Sequence, residues 1–367
     1  MSYTHDSKIS DYPAGIFNLL HNCLSIKPQQ RLLIIGEPEG TGYYEDGLCE
    51  RIAKQAESFG ALVSLIRPPL VSGPNDIDPS VSEVISQADH TVFLARLGDQ
   101  VRFSEVHGTG SKTICYTLEH DLLDTAFGTV PWDLFKQIHD RLVARIASAQ
   151  SYQITCPLGT QLSGRVKATA KQSANTGIAE FTVKPFPVLI YPPLQCTELN
   201  GQLVLDRYLA STSINDIENS ILKLEQPVTA HIEESRIVGF DGDSNTVASV
   251  EAQYQRVGKL TDGDPYTVNS WHTGMYPKTF YRRPIDDDVQ RWSDLAFGSP
   301  RYTHFHTCGN NPGNIATAMF DATIGFDDQL FWEAGQFVFL DQPEQQALLE
   351  HYPEYPDAFS MRWDIGI

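Results

Sequence analysis

Gln30-Arg-Leu-Leu-Ile-Ile-Gly-Glu-Pro38 decides the fold class of the first part of this chain. An unbroken apolar run of strand length, closed by Gly36 and Pro38, describes a strand buried on both faces, the kind that sits inside a parallel sheet. The residues around it keep the same grammar. Tyr44 to Ser58 spaces Leu48, Ile52, Ala53 and Ala56 as one helical face, and Ala61-Leu-Val-Ser-Leu-Ile66 follows as a second strand. Val81 to Ala88 predicts a helix, His90–Ala95 and Lys112–Tyr116 two further strands, and Trp132–Ala149 an amphipathic helix that closes the segment. Strands alternating with helices at this spacing predict a parallel α/β domain over residues 1–150.

From Tyr152 the pattern changes to short alternating strands separated by Gly, Pro, Asn and Asp. Tyr152–Cys156, Gly201–Asp206, Val228–Glu233 and Arg236–Phe240 are examples, with weaker helical spacing over Asn245–Arg256. The expectation is a β-rich catalytic domain over residues 151–367, so that the whole chain combines α/β and α+β architecture.

Composition narrows the functions. The chain has 367 residues, 41% hydrophobic and 20% charged, as expected of a globular protein long enough for two domains. Its 46 Asp and Glu against 27 Lys and Arg give a net charge of −19, which disfavours nucleic acid and anionic membranes as partners. Met1 to Ser10 is polar, without an apolar stretch after a basic start, so a cytoplasmic location is expected. The apolar runs are too short to span a bilayer. Six cysteines without a Cys-x-x-Cys pair are expected to be reduced.

The chemistry concentrates near the end of the chain, in Tyr302-Thr-His-Phe-His-Thr-Cys-Gly-Asn-Asn-Pro-Gly313. A strand there sends Tyr302, His304 and His306 to one face and Thr303, Phe305 and Thr307 to the other. Successive side chains on that face stand about 6.6 Å apart, close enough for two imidazoles to converge on one cation or substrate. His272 and Asp321, in flanking segments, complete the ligand types of a mononuclear metal site. Other signals are weaker. Gly36-Glu-Pro-Glu-Gly-Thr-Gly42 has the position of a dinucleotide loop, but Pro38 removes a donor and Glu37, Glu39, Glu45 and Asp46 would repel a pyrophosphate. Neither Gly-x-Ser-x-Gly nor His-Glu-x-x-His occurs. Glu233 and Glu234 fit a solvated hairpin turn better than a pair of catalytic acids.

Five short motifs, in order and spacing, resemble the aminopeptidase T family. They are Tyr152–Gly164, Asn200-Gly-Gln-Leu-Val-Leu-Asp206, Val228–Gly239, Trp271-His-Thr-Gly-Met-Tyr-Pro277 and Phe320-Asp-Ala-Thr-Ile-Gly325. Together they cover nearly all of the second domain. The chain departs from that family's two-metal design: His272 stands at a Glu position, Pro187–Pro193 carries no acid, and Met319 replaces a His. The sister branch, the non-haem iron dihydroxypyridine dioxygenases, also has His at the His272 position and lacks the first Glu. That resemblance implies a two-histidine, one-carboxylate Fe(II) site and a homodimer.

The expectation is therefore Fe(II), alternatively Zn or another divalent metal, on His272, Asp321 and one of His304 and His306. His306 is taken as the ligand, and His304 as a proton shuttle. Tyr302 and Tyr276 are candidates to donate protons or orient the substrate. Lys278 and Arg282, beside Arg283, could bind a carboxylate, or pair with Asp286-Asp-Asp288 instead. The expected partner is a small molecule or a short peptide. A metallo-aminopeptidase with a rearranged site and a metal-free descendant are the alternatives.

Overall fold

The computed structural model describes residues 13–102, 108–167, 183–212 and 217–367. They form two compact units, one of Met1–Lys136 with Phe181–Pro187 and one of Gln137–Glu180 with Val188–Ile367.

The first unit is built on five parallel strands: β1 (Arg31–Gly36), β2 (Leu62–Ile66), β3 (His90–Leu94), β4 (Ser111–Cys115) and β7 (Lys184–Phe186). Their order is β2-β1-β3-β4-β7. Leu32 to Ile35 and Val92 to Leu94 are all buried, as the continuous apolar runs require. Helices Leu48–Ser58 and Pro79–Gln87 make the crossovers; the second starts on Pro79 behind Asp78, whose carboxylate accepts the Ser80 N–H at 2.8 Å. The chain order reverses between β1 and β3, the place where open α/β sheets bind ligands. There the buried Glu37 carboxylate accepts the Arg96 backbone N–H and the Nε–H, both at 2.9 Å, so an internal ion pair stands between the two strand ends. β7 is only three residues long and pairs with β4 from far along the chain, which no local pattern could announce.

Helix Trp132–Ser148 carries the chain into the second unit, which contains two antiparallel sheets. One has the order β13-β12-β9-β6-β5-β17-β18, made of β5 (Ser151–Thr155), β6 (Gln161–Arg165), β9 (Asn200–Leu205), β12 (Val228–Glu233), β13 (Arg236–Asp241), β17 (Thr323–Phe326) and β18 (Gln329–Trp332). The other has the order β11-β10-β16-β15-β14-β8, made of β8 (Leu194–Gln195), β10 (Tyr208–Ser211), β11 (Leu222–Lys223), β14 (Val268–Thr273), β15 (Tyr302–Thr307) and β16 (Ile315–Phe320). Glu234 and Ser235, both at positive φ, turn β12 into β13 as a two-residue hairpin.

The sheets meet through aromatic rings. Trp271 of β14 is fully buried and lies 5.0 Å from Tyr152 of β5, and 6.2 Å from both Phe326 of β17 and its own neighbour Phe305. Because a strand alternates its side chains, burying Trp271, Thr273 and Phe305 against the seven-stranded sheet turns Ser270, His272, His304 and His306 to the opposite face. All six cysteines are free. Among the described residues no helix is long and apolar enough to cross a membrane.

Candidate metal centre

Register puts the histidines together. In the β14–β15 pair His272 faces His304, Ser270 faces His306 and Thr273 faces Thr303. An irregularity between Val268 and Ser270 sets this register. The ring centroids of His272 and His304 are 4.0 Å apart, those of His272 and His306 5.2 Å, and those of His304 and His306 5.0 Å. The Nε2 atoms of His272 and His304 approach to 2.5 Å. One ligand nitrogen from each of the three rings lies within 4.8 Å of the other two.

The surroundings suit a cation. His272 and His304 are 5% and 8% exposed, so water reaches them poorly, while His306 is half-buried. Burial, and then the neighbouring His306 ring, holds the His304 pKa well below its ordinary value. Burial alone brings His306 down to about 4. Both rings are therefore neutral near pH 7 and offer lone pairs, the form in which imidazole binds metals. Ser270 Oγ lies 3.2 Å from His306 Nδ1 and leaves the other nitrogen of that ring for a ligand. His304 Nδ1 is buried without a hydrogen-bond partner in the protein. Across the sheet the neighbours on this face are small: Ala318 faces His304, Ala316 faces His306, and Ala210 of β10 faces Ala316.

The other predicted residues lie as follows. Tyr302 shares the histidine face and stacks on His304, with centroids 5.1 Å apart and planes 26° from parallel. Its hydroxyl is buried 3.5 Å from Ser293 Oγ, and burial pushes its pKa up to about 12. Asp321 lies one residue past the end of β16, at φ 52°, and stands outside the group of three. Its two oxygens accept Arg301 Nε–H at 2.7 Å and Nη2–H at 2.8 Å. The three imidazoles thus lie together, while the Asp321 carboxylate lies outside their group and pairs with Arg301. Tyr276 is fully buried in the segment after β14, its backbone N–H donated to the Gly298 carbonyl. Lys278 is buried too, and its ammonium donates to Ser360 Oγ. The Arg282 guanidinium lies over the Phe280 ring, 5.3 Å from its centre.

Two contributors escaped the sequence reading. Ser270 could have been found by strand alternation, since it stands two residues before His272. Tyr191, whose ring stands nearly perpendicular to that of His272 at 6.5 Å and whose hydroxyl accepts the Thr273 N–H at 3.1 Å, sits in a Pro-rich loop without such a signal. Asp321→Ala is expected to keep one metal ion per chain, with affinity lowered only as far as freeing Arg301 loosens its surroundings, and to lower stability by about 2 kcal/mol, the scale of a lost charge-assisted hydrogen-bonded pair. Metal analysis beside a urea titration checks both; a variant that loses its metal would return Asp321 to the ligand set.

No protein-family model matches the chain, and no curated protein matches it in sequence. Comparison with solved structures gives matches over most of the chain. A 2,5-dihydroxypyridine dioxygenase from Pseudomonas putida KT2440 superposes with a TM-score of 0.55 at 13% identity, over 90% of this chain and 98% of that one. Wild-type AmpT from Thermus thermophilus gives a TM-score of 0.48 at 11% identity, over 89% and 98% of the two chains. At 13% identity the likeness to the dioxygenase is one of fold alone.

Proposed function

We propose that this chain is a metal-dependent enzyme with a single divalent cation held by His272, His304 and His306, acting on a small polar substrate in oxygenase-type chemistry. One observation carries the reading: three imidazoles, two of them held neutral by burial, turn ligand nitrogens toward one another on a sheet face floored by alanines. Imidazole donors suit Fe, Zn, Cu and Ni, and Fe(II) is the first choice here, with Zn second. A cation on three protein donors supplies Lewis acidity and open coordination positions for substrate.

The protein's part is positioning and exclusion. β14 and β15 fix the three rings by register, Ser270 directs one nitrogen of His306, and burial keeps water from His272 and His304. The fold shared with a dioxygenase supports the oxygenase class. A cocatalytic two-metal peptidase site needs carboxylates between its metals, and among the described residues the group of three contains none. Three histidines are also the donor set of zinc hydration enzymes, which keeps a hydrolytic zinc site as the second reading.

Protein purified without chelators is expected to contain one transition-metal ion per chain, removable by a chelator. Absence of stoichiometric metal would sink the proposal. Oxygen consumption with small polar substrates supports the oxygenase class, whereas release of amino acids from short peptides supports the hydrolytic one.

A further inference from the structure

Histidine ligands are commonly aimed by a hydrogen bond from the ring nitrogen that does not bind metal. His304 lacks this support, because its Nδ1 is buried without a partner. What touches the ring instead is aromatic. Tyr302 stacks on it at 5.1 Å, and Tyr302 is itself packed against Trp292 at 4.8 Å and Phe320 at 5.7 Å. Trp292 belongs to helix Val289–Ala296, which starts behind Asp288, whose carboxylate accepts the Arg291 N–H at 2.9 Å.

The far end of this stack is tied to the C-terminal segment. The Trp292 indole N–H donates to the Ile365 carbonyl at 2.6 Å. The segment is fastened around it: Tyr281 N–H donates to the Asp364 carbonyl, Ile285 N–H to the Gly366 carbonyl, and Arg301 Nη1–H to the Trp363 carbonyl at 2.5 Å. Arg301 immediately precedes Tyr302, and Asp321 holds its guanidinium in place. The carboxylate that resembled a metal ligand thus belongs to the anchor of this segment.

We propose that Trp292 and Tyr302 are positioning residues for His304: a stack anchored on the Ile365 carbonyl does by ring contact what a second hydrogen bond does in other metal sites. The inference rests on the reading of the three histidines as a cation site. Its consequence is that the last residues of the chain, remote in sequence, set the affinity of that site.

Metal-free full-length protein titrated with Co(II), followed by visible absorption, tests it. Tyr302→Phe keeps the ring and is expected to bind within about threefold of the wild type. Tyr302→Leu removes the ring and is expected to bind roughly 10- to 100-fold more weakly, the range seen when support behind a metal ligand is lost, with an altered spectrum. Trp292→Phe, which keeps a ring but deletes the indole donor, is expected to weaken binding in the same direction. It decides the matter alone if Tyr302→Leu does not fold. Wild-type affinity and spectrum in a folded Tyr302→Leu, or in Trp292→Phe, overturn the inference, as does an equal loss in Tyr302→Phe. No Co(II) uptake by the wild type overturns the cation site and this inference with it.

Discussion

Replacing His304 by alanine is expected to abolish stoichiometric metal binding, with affinity falling by more than the ~100-fold that marks the upper end for supporting residues. His304 adjoins both of the other rings: its centroid is 4.0 Å from that of His272 and 5.0 Å from that of His306. Without it two imidazoles remain, and no carboxylate among the described residues belongs to the group. The folding cost is a separate quantity: the ring gives up its Nε2 contact with His272 at 2.5 Å and no hydrogen bond at Nδ1, and the space it leaves adjoins Ala318. Affinity for Co(II), measured beside a urea titration of the metal-free protein, separates the two effects. Retained metal in a folded His304→Ala variant would exclude this ring as a ligand.

The second large effect is structural. Trp271→Ala is expected to lower stability by about 3–5 kcal/mol, the cost of removing a buried aromatic ring whose cavity cannot fully collapse. Trp271 is fully buried and touches Tyr152, Phe305, Phe326 and Tyr191. It also adjoins His272 in β14, so loosening it frees the strand that presents one of the three rings. The denaturation midpoint of the second unit should therefore fall, and metal affinity with it. An unchanged midpoint would mean that the two sheets do not depend on this ring.

The residues explain which parts of this architecture could be read in advance. β1 and β3 are legible because Leu32–Ile35 and Val92–Leu94 are unbroken apolar runs of strand length, the pattern of a strand buried on both faces. The shared face of Tyr302, His304 and His306 follows from the two-residue repeat of a strand, and the structure has it. Pairing is a different matter. That His272 stands opposite His304 is set by a register between segments 32 residues apart, with an irregularity on one of them, and nothing local encodes it.

Asp321 shows the same limit from the other side. A turn following a strand places an acid near many plausible sites. Its partner, however, is decided by Arg301 at the start of the neighbouring strand and by a C-terminal segment that binds the same guanidinium. The motif around Asp321 carries no information about that pairing. Trp292 likewise looks like an ordinary apolar position of a short helix until the ring it packs on is known.

The most direct measurement is an anomalous-difference map, collected at the metal edge from crystals of the metal-loaded protein. The account predicts one strong peak per chain, bonded to a nitrogen of each of His272, His304 and His306, with the Asp321 carboxylate still on Arg301. A peak coordinated by Asp321, or a peak only at a site remote from the three rings, would contradict it.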